Sequence, residues 1–210
     1  MPHIPSPSSA DRRAAPRIGR VFWALALLLS AWALAVVLAS PDLVQGARMV
    51  IRLTARTSLA LFLLAFTASA WVRLVPGPGT AWLLAHRRAF GLGFAFSHAL
   101  HLVEIVAFAR LDPAGFAQQT GVANIVTGGI AYVFIALMAA TSWNGAVRWM
   151  VARRWQWLHT VGAHYLWISF VVSFGKRIPM STAYAVPVLV LLAAMGLRLA
   201  GRLQARRRRA

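Results

Sequence analysis

The chain has no cysteine, and only four of its 210 residues are acidic: Asp11, Asp42, Glu104 and Asp112. Without thiolates there can be no iron–sulfur cluster, no thiolate-ligated or covalently attached c-type haem, and no thiol catalysis. Charged residues make up 12% of the chain, about half of what a soluble domain of ordinary composition carries. No loop is long enough to be a soluble domain, and no glycine-rich nucleotide motif occurs. Any redox centre must be held by histidine, or must be a diffusible cofactor such as a quinone or FMN.

What is present is apolar: 60% of residues are hydrophobic and the mean hydropathy is +0.65. Six runs approach the ~20 residues needed to cross a bilayer, at 21–41, 57–75, 89–109, 122–143, 155–175 and 181–200. Turn signals separate them, including Ser40–Asp42, Pro76–Gly79 and Leu111–Gly115. The expected fold class is all-α, a polytopic membrane bundle of six transmembrane helices over 21–200. A disordered Pro-, Ser- and Arg-rich basic leader (1–20) precedes it and a basic tail (201–210) follows. The first run is about twice a signal-peptide h-region, which favours a retained anchor.

The formal net charge is +18. The basic residues flank apolar runs, which implies membrane lipid rather than nucleic acid as the partner. Sixteen of the Lys and Arg residues fall on the leader side of the membrane and six on the other. The positive-inside rule therefore expects both termini in the cytoplasm and a multi-pass protein of the inner (plasma) membrane.

Four of the six histidines lie inside apolar runs, His98 and His101 in the third and His159 and His164 in the fifth. An ionisable residue in hydrocarbon is a functional signal by default. Two helices offering imidazoles suggest one shared ligand, and a b-type haem is the leading candidate. His98 and His164 each lie ten residues beyond an arginine pair, Arg87-Arg88 or Arg153-Arg154. That spacing expects them at one depth, permits a His98/His164 or His101/His164 pairing, and leaves His159 needing another partner.

The segment RRAFGLGFAFSHALHLVEIVAF (Arg87–Phe108) resembles the third-helix signature of the ferric reductase-like transmembrane domain family. Within that family it is similar to the haem-binding membrane subunit of periplasmic methionine sulfoxide reductase systems. RRWQWLHTVGAHYLW (Arg153–Trp167) is similar to the fifth helix of that subunit. The resemblance spans roughly Arg48 to Arg202. It implies haem ligation by His101 and His159, assistance from Arg87, one or two b-type haems, and electron transfer across the membrane. It also implies a separate donor, either a flavin reductase or a quinol, and a periplasmic reductase subunit as partner. The family pattern places a second fifth-helix histidine 13 residues after the first, where this chain has Val172. His98 and His164 are additions to the pattern.

Glu104, one helical turn beyond His101, is a candidate to orient that imidazole or to pair with Arg110. An H-x-x-E alone does not make a zinc or di-iron site. Tryptophans at positions 71, 82, 143, 149, 155 and 157 suit an interfacial belt. Gly91, Gly93, Gly128 and Gly129 are expected where helices approach closely, with Asn124 and Thr127 as hydrogen-bonders. The rival expectation is a haem-free bundle of the same fold acting as an interaction or assembly subunit.

Overall fold

A computed structural model describes residues 18–142 and 151–207. Among these residues the chain is all helical. The long helices are α1 (Ile18–Leu38), α2 (Leu43–Leu74), α4 (Arg87–Leu111), α6 (Val122–Ala140), α7 (Ala152–Gly175) and α8 (Ala185–Arg207); α3 (Pro78–Ala85) and α5 (Pro113–Gln119) are short. Leader residues 1–17, tail residues 208–210, Trp143 and Trp149 lie outside the described residues.

Among the described residues, five helices are long and apolar enough to cross a membrane: α1, α2, α4, α6 and α8 with its leading 3₁₀ turn. The sixth expected span, α7, has 24 residues, roughly 36 Å of helix, but falls short in apolarity. Its polar residues are the cause: His159, Thr160, His164, Tyr165 and Ser169 interrupt the run. Two boundaries also move. The second helix begins at Leu43, because Asp42 caps it by accepting a 2.8 Å bond from the Gln45 amide. Residues 201–207 of the expected tail continue α8.

The long α2 is the centre of the bundle. Val50, Thr54, Ser58, Phe62, Phe66 and Ala70 recur every fourth residue, and all are buried. This stripe packs antiparallel on α4, so Thr54 meets His101, Ser58 meets Ser97 and Phe62 meets Phe94. Gly162, Leu166, Phe170 and Phe174 form the matching stripe of α7, and α6 and α8 flank that helix. Apolar side chains such as Leu27 (69% exposed) cover the outside, as lipid contact requires.

The glycines that permit close approach differ from those expected. A Cβ on Gly91, Gly128 or Gly129 would meet nothing within 4 Å, because these positions face away from neighbouring helices. Gly93 does abut Leu25 of α1. At Gly201 a Cβ would come within 3.1 Å of the Ala70 backbone, so the crossing of α8 over α2 depends on a missing side chain. Gly201→Leu should therefore cost about 1–3 kcal/mol through overpacking. Thermal unfolding in detergent measures this, and an unchanged midpoint would contradict the crossing.

Charge divides the bundle into two ends. The described carboxylates, Asp42, Glu104 and Asp112, lie toward one end, where Arg48 pairs with Asp112 at 3.5 Å. The other end carries Arg73, Arg87, Arg88, Arg153, Arg154, Arg202 and Arg206, with no acid among the described residues. These are termed the carboxylate end and the arginine end.

Candidate functional site

The helices carrying the histidines, α4 and α7, are not a closely packed pair. They meet through aromatic rings. Phe170 of α7 lies against Phe94 and His98 of α4, with ring centroids 6.2 and 5.8 Å apart. That contact fixes their register. At 1.5 Å per residue, His164 lies roughly 9 Å and His159 roughly 16 Å from Phe170 toward the arginine end, whereas His101 lies roughly 5–10 Å the other way. Arg87 acts electrostatically on His159, and Arg177 on His101, as this register requires.

The imidazoles therefore form two levels. His98 and His101 are together at the carboxylate-end level, with centroids 5.6 Å apart. His159 and His164 occupy the arginine-end level. Equal spacing from the arginine pairs misplaces them because α7 is displaced toward the arginine end: residues 151–154 are exposed, and Trp157 is 65% exposed. His98 and His164 differ in depth by on the order of 10 Å. His101, His159 and His164 do not converge, and no three His, Asp or Glu side chains gather into a metal-ion cluster among the described residues.

Hydrogen bonding sets which nitrogen each ring can offer. Thr54 Oγ1 lies 2.7 Å from the Val50 carbonyl and 2.8 Å from His101 Nδ1. The hydroxyl has one proton, which the carbonyl takes. His101 Nδ1–H then donates to Thr54, leaving a lone pair on Nε2. His164 Nδ1 donates to the Thr160 carbonyl at 2.7 Å, with the same consequence. A second-shell acceptor on one nitrogen is the arrangement that prepares the other for a metal.

His159 is different. Its Nε2 is 3.1 Å from Thr141 Oγ1, whose proton goes to the Leu137 carbonyl at 2.7 Å, and its ring stacks on Trp155 at 4.2 Å. Its Nε2 is already engaged. His98 is different again: its Nδ1 is buried with no partner among the described residues, and so is the hydroxyl of Tyr132 on α6, whose ring centroid is 5.8 Å away. Two unpartnered polar atoms on neighbouring rings in an apolar interior are expensive unless a ligand satisfies them.

The remaining expectations divide. Glu104 has no hydrogen-bond or ion-pair partner among the described residues, and Thr54 orients His101 instead. Val172 is 57% exposed and turns outward, whereas Phe170 (8%) occupies the inward position at the level of His98. Asn124 accepts a 2.6 Å bond from Lys176 Nζ, and Tyr165 donates to the Thr127 carbonyl at 2.9 Å. Trp167 donates to the Leu191 carbonyl at 2.8 Å, tying α7 to α8.

Sequence reading missed Thr54, Tyr132, Thr160 and Arg198. The signal for each was a polar residue inside an apolar run. As a donor set, imidazoles at two depths whose Nε2 has no partner among the described residues, with unpartnered polar atoms near one of them, suit a haem.

Two relatives match the chain. A protein-methionine-sulfoxide reductase heme-binding subunit MsrQ from Ralstonia nicotianae is 40% identical over 83 residues, covering 39% of this chain and 38% of that protein. A protein of the same name from Herminiimonas arsenicoxydans is 34% identical over 121 residues, covering 52% of this chain and 55% of that protein. The chain thus spans between about two fifths and just over half the length of these relatives. No family model and no solved structure matches. Among its described residues the chain is all helical, with five helices long and apolar enough to cross a membrane, and over part of its length it is similar to these two heme-binding subunits.

Proposed function

We propose that the chain is a haem-binding membrane subunit that carries electrons from the arginine end to the carboxylate end, and that the arginine end faces the cytoplasm. The observation carrying this reading is the pair of imidazoles, His101 and His164, each with Nδ1 held and no partner for Nε2 among the described residues, at two depths of one apolar bundle. Haem b supplies a one-electron iron couple when bound. His101, with His98 beside it, holds the carboxylate-end level. His164, with His159 and Arg87 nearby, holds the arginine-end level. Thr54 and Thr160 fix the ring orientations, and the surrounding Phe rings exclude water.

The donor is a flavin reductase or a quinol at the cytoplasmic side, with FMN or quinone as the carrier. The acceptor is a periplasmic reductase subunit; the relatives' names point to protein methionine sulfoxide reduction. A second reading, a haem-free interaction subunit, is favoured by one observation: the Phe62, Phe94 and Phe170 rings pack at 5.4–6.2 Å and fill the space between α4 and α7. Visible absorption of the detergent-purified protein separates the two. A Soret band that shifts on dithionite reduction is expected, and a colourless protein from haem-supplemented cells would sink the haem reading.

A further inference from the structure

An arginine inside an apolar span needs a counter-charge, and Arg198 has none among the described residues. It lies in α8, part of a stretch apolar enough to cross a membrane. Its Nη1 donates to the Phe66 carbonyl at 2.6 Å, and its guanidinium lies over the Phe66 ring, 4.0 Å from the centroid. Its Nε is buried without a partner among the described residues. The charges acting on it are Arg202, Arg87 and Arg73, all of like sign. The described carboxylates are toward the other end of the bundle. The same Phe66 ring also meets His164 edge-on, with centroids 6.2 Å apart. One phenyl ring thus joins an uncompensated cation cluster to an imidazole with a free Nε2.

We propose that Arg198, with Arg87 near it, is a carboxylate clamp that receives the propionates of a haem held at the His164 level. This rests on the haem reading and adds a residue and a role to it. Haem brings two carboxylates, the anions this level lacks, and a guanidinium binds carboxylate through charge-assisted, fork-shaped hydrogen bonds. A lipid phosphate has a more accessible place, the open pocket of about 370 Å³ at the rim lined by Arg73, Arg202, Ala205 and Arg206. Arg198 is held inward of that rim by Phe66.

The test is a haemin titration of the full-length apoprotein in detergent, followed at the Soret band, for wild type, Arg198→Gln and Arg198→Lys. Arg198→Gln should weaken haemin binding by about tenfold to a hundredfold, the range for hydrogen bonds to charged groups, and Arg198→Lys should recover part of the loss. With haemin dimethyl ester, whose propionates are uncharged, wild type and Arg198→Gln should bind equally. Equal haemin binding by both proteins overturns the clamp and leaves the haem reading standing. A deficit that persists with the ester also overturns it, because Arg198 would then act through packing. A wild type that takes up no haemin overturns the clamp and the haem reading together.

Discussion

Alanine at His101 should empty the carboxylate-end level of haem, while alanine at His159 should leave haem binding nearly intact. His101 offers a free Nε2 because Thr54 takes up its Nδ1–H, whereas His159 has its Nε2 bonded to Thr141 and its ring stacked on Trp155. Removing the ligand eliminates the iron–nitrogen bond outright, so affinity at that level should fall by more than the tenfold to hundredfold typical of outer-shell changes. Thr54→Val should fall within that smaller range, since it leaves His101 in place but releases its tautomer and orientation. Haem per mole of protein, measured as the pyridine haemochrome, reads all three variants. Full haem content and an unchanged spectrum in His101→Ala would remove His101 from the ligand set. Loss of haem in His159→Ala equal to that in His164→Ala would show that the Thr141 bond breaks when haem binds.

Much of the bundle was legible because membrane helices announce themselves by apolar length: five of the six expected runs form helices long and apolar enough to cross a membrane, and the remaining run, α7, is helical but too polar to qualify. The fourfold buried repeat of α2 is visible in the residues themselves, yet Thr54 and Ser58 within it are read by eye as breaks in a hydrophobic face. In the structure they are the members that bond α4. The long start of α2 was hidden because Arg48, Arg52 and Arg56 look like a loop. At four-residue spacing they are one face of a helix that Asp42 starts.

Depth was the least legible property. Counting residues from arginine pairs assumes that each pair marks the same membrane plane. Nothing in the chain reports that α7 is displaced toward the arginine end relative to α4. That displacement is a packing outcome, set by the fit of Phe170 between Phe94 and His98. It also explains why four histidines on two helices become two levels rather than one shared site. Arg198 was obscured in a similar way, because residues near a basic tail are counted for topology before they are considered singly.

Histidine at position 170, rather than at position 172, should give the carboxylate-end level a second strong ligand. The family pattern implies a fifth-helix histidine where this chain has Val172, which makes Val172→His the obvious restoration. In this bundle Val172 is 57% exposed, so an imidazole there faces outward and has no iron to reach. Phe170 is 8% exposed and its ring centroid is 5.8 Å from that of His98. Replacing phenyl by the smaller imidazole also opens room between α4 and α7, where the Phe62, Phe94 and Phe170 rings now touch. Phe170→His should therefore shift the haem at this level toward low-spin, bis-histidine character, with sharper reduced bands and tighter retention during purification. Deleting a large buried ring costs packing, about 2–4 kcal/mol on the scale of large-to-small core changes, so unfolding should be measured on the same samples. Electron paramagnetic resonance of the oxidised protein distinguishes the spin states. A low-spin signal created by Val172→His and absent from Phe170→His would reverse the inward and outward assignment of these two positions.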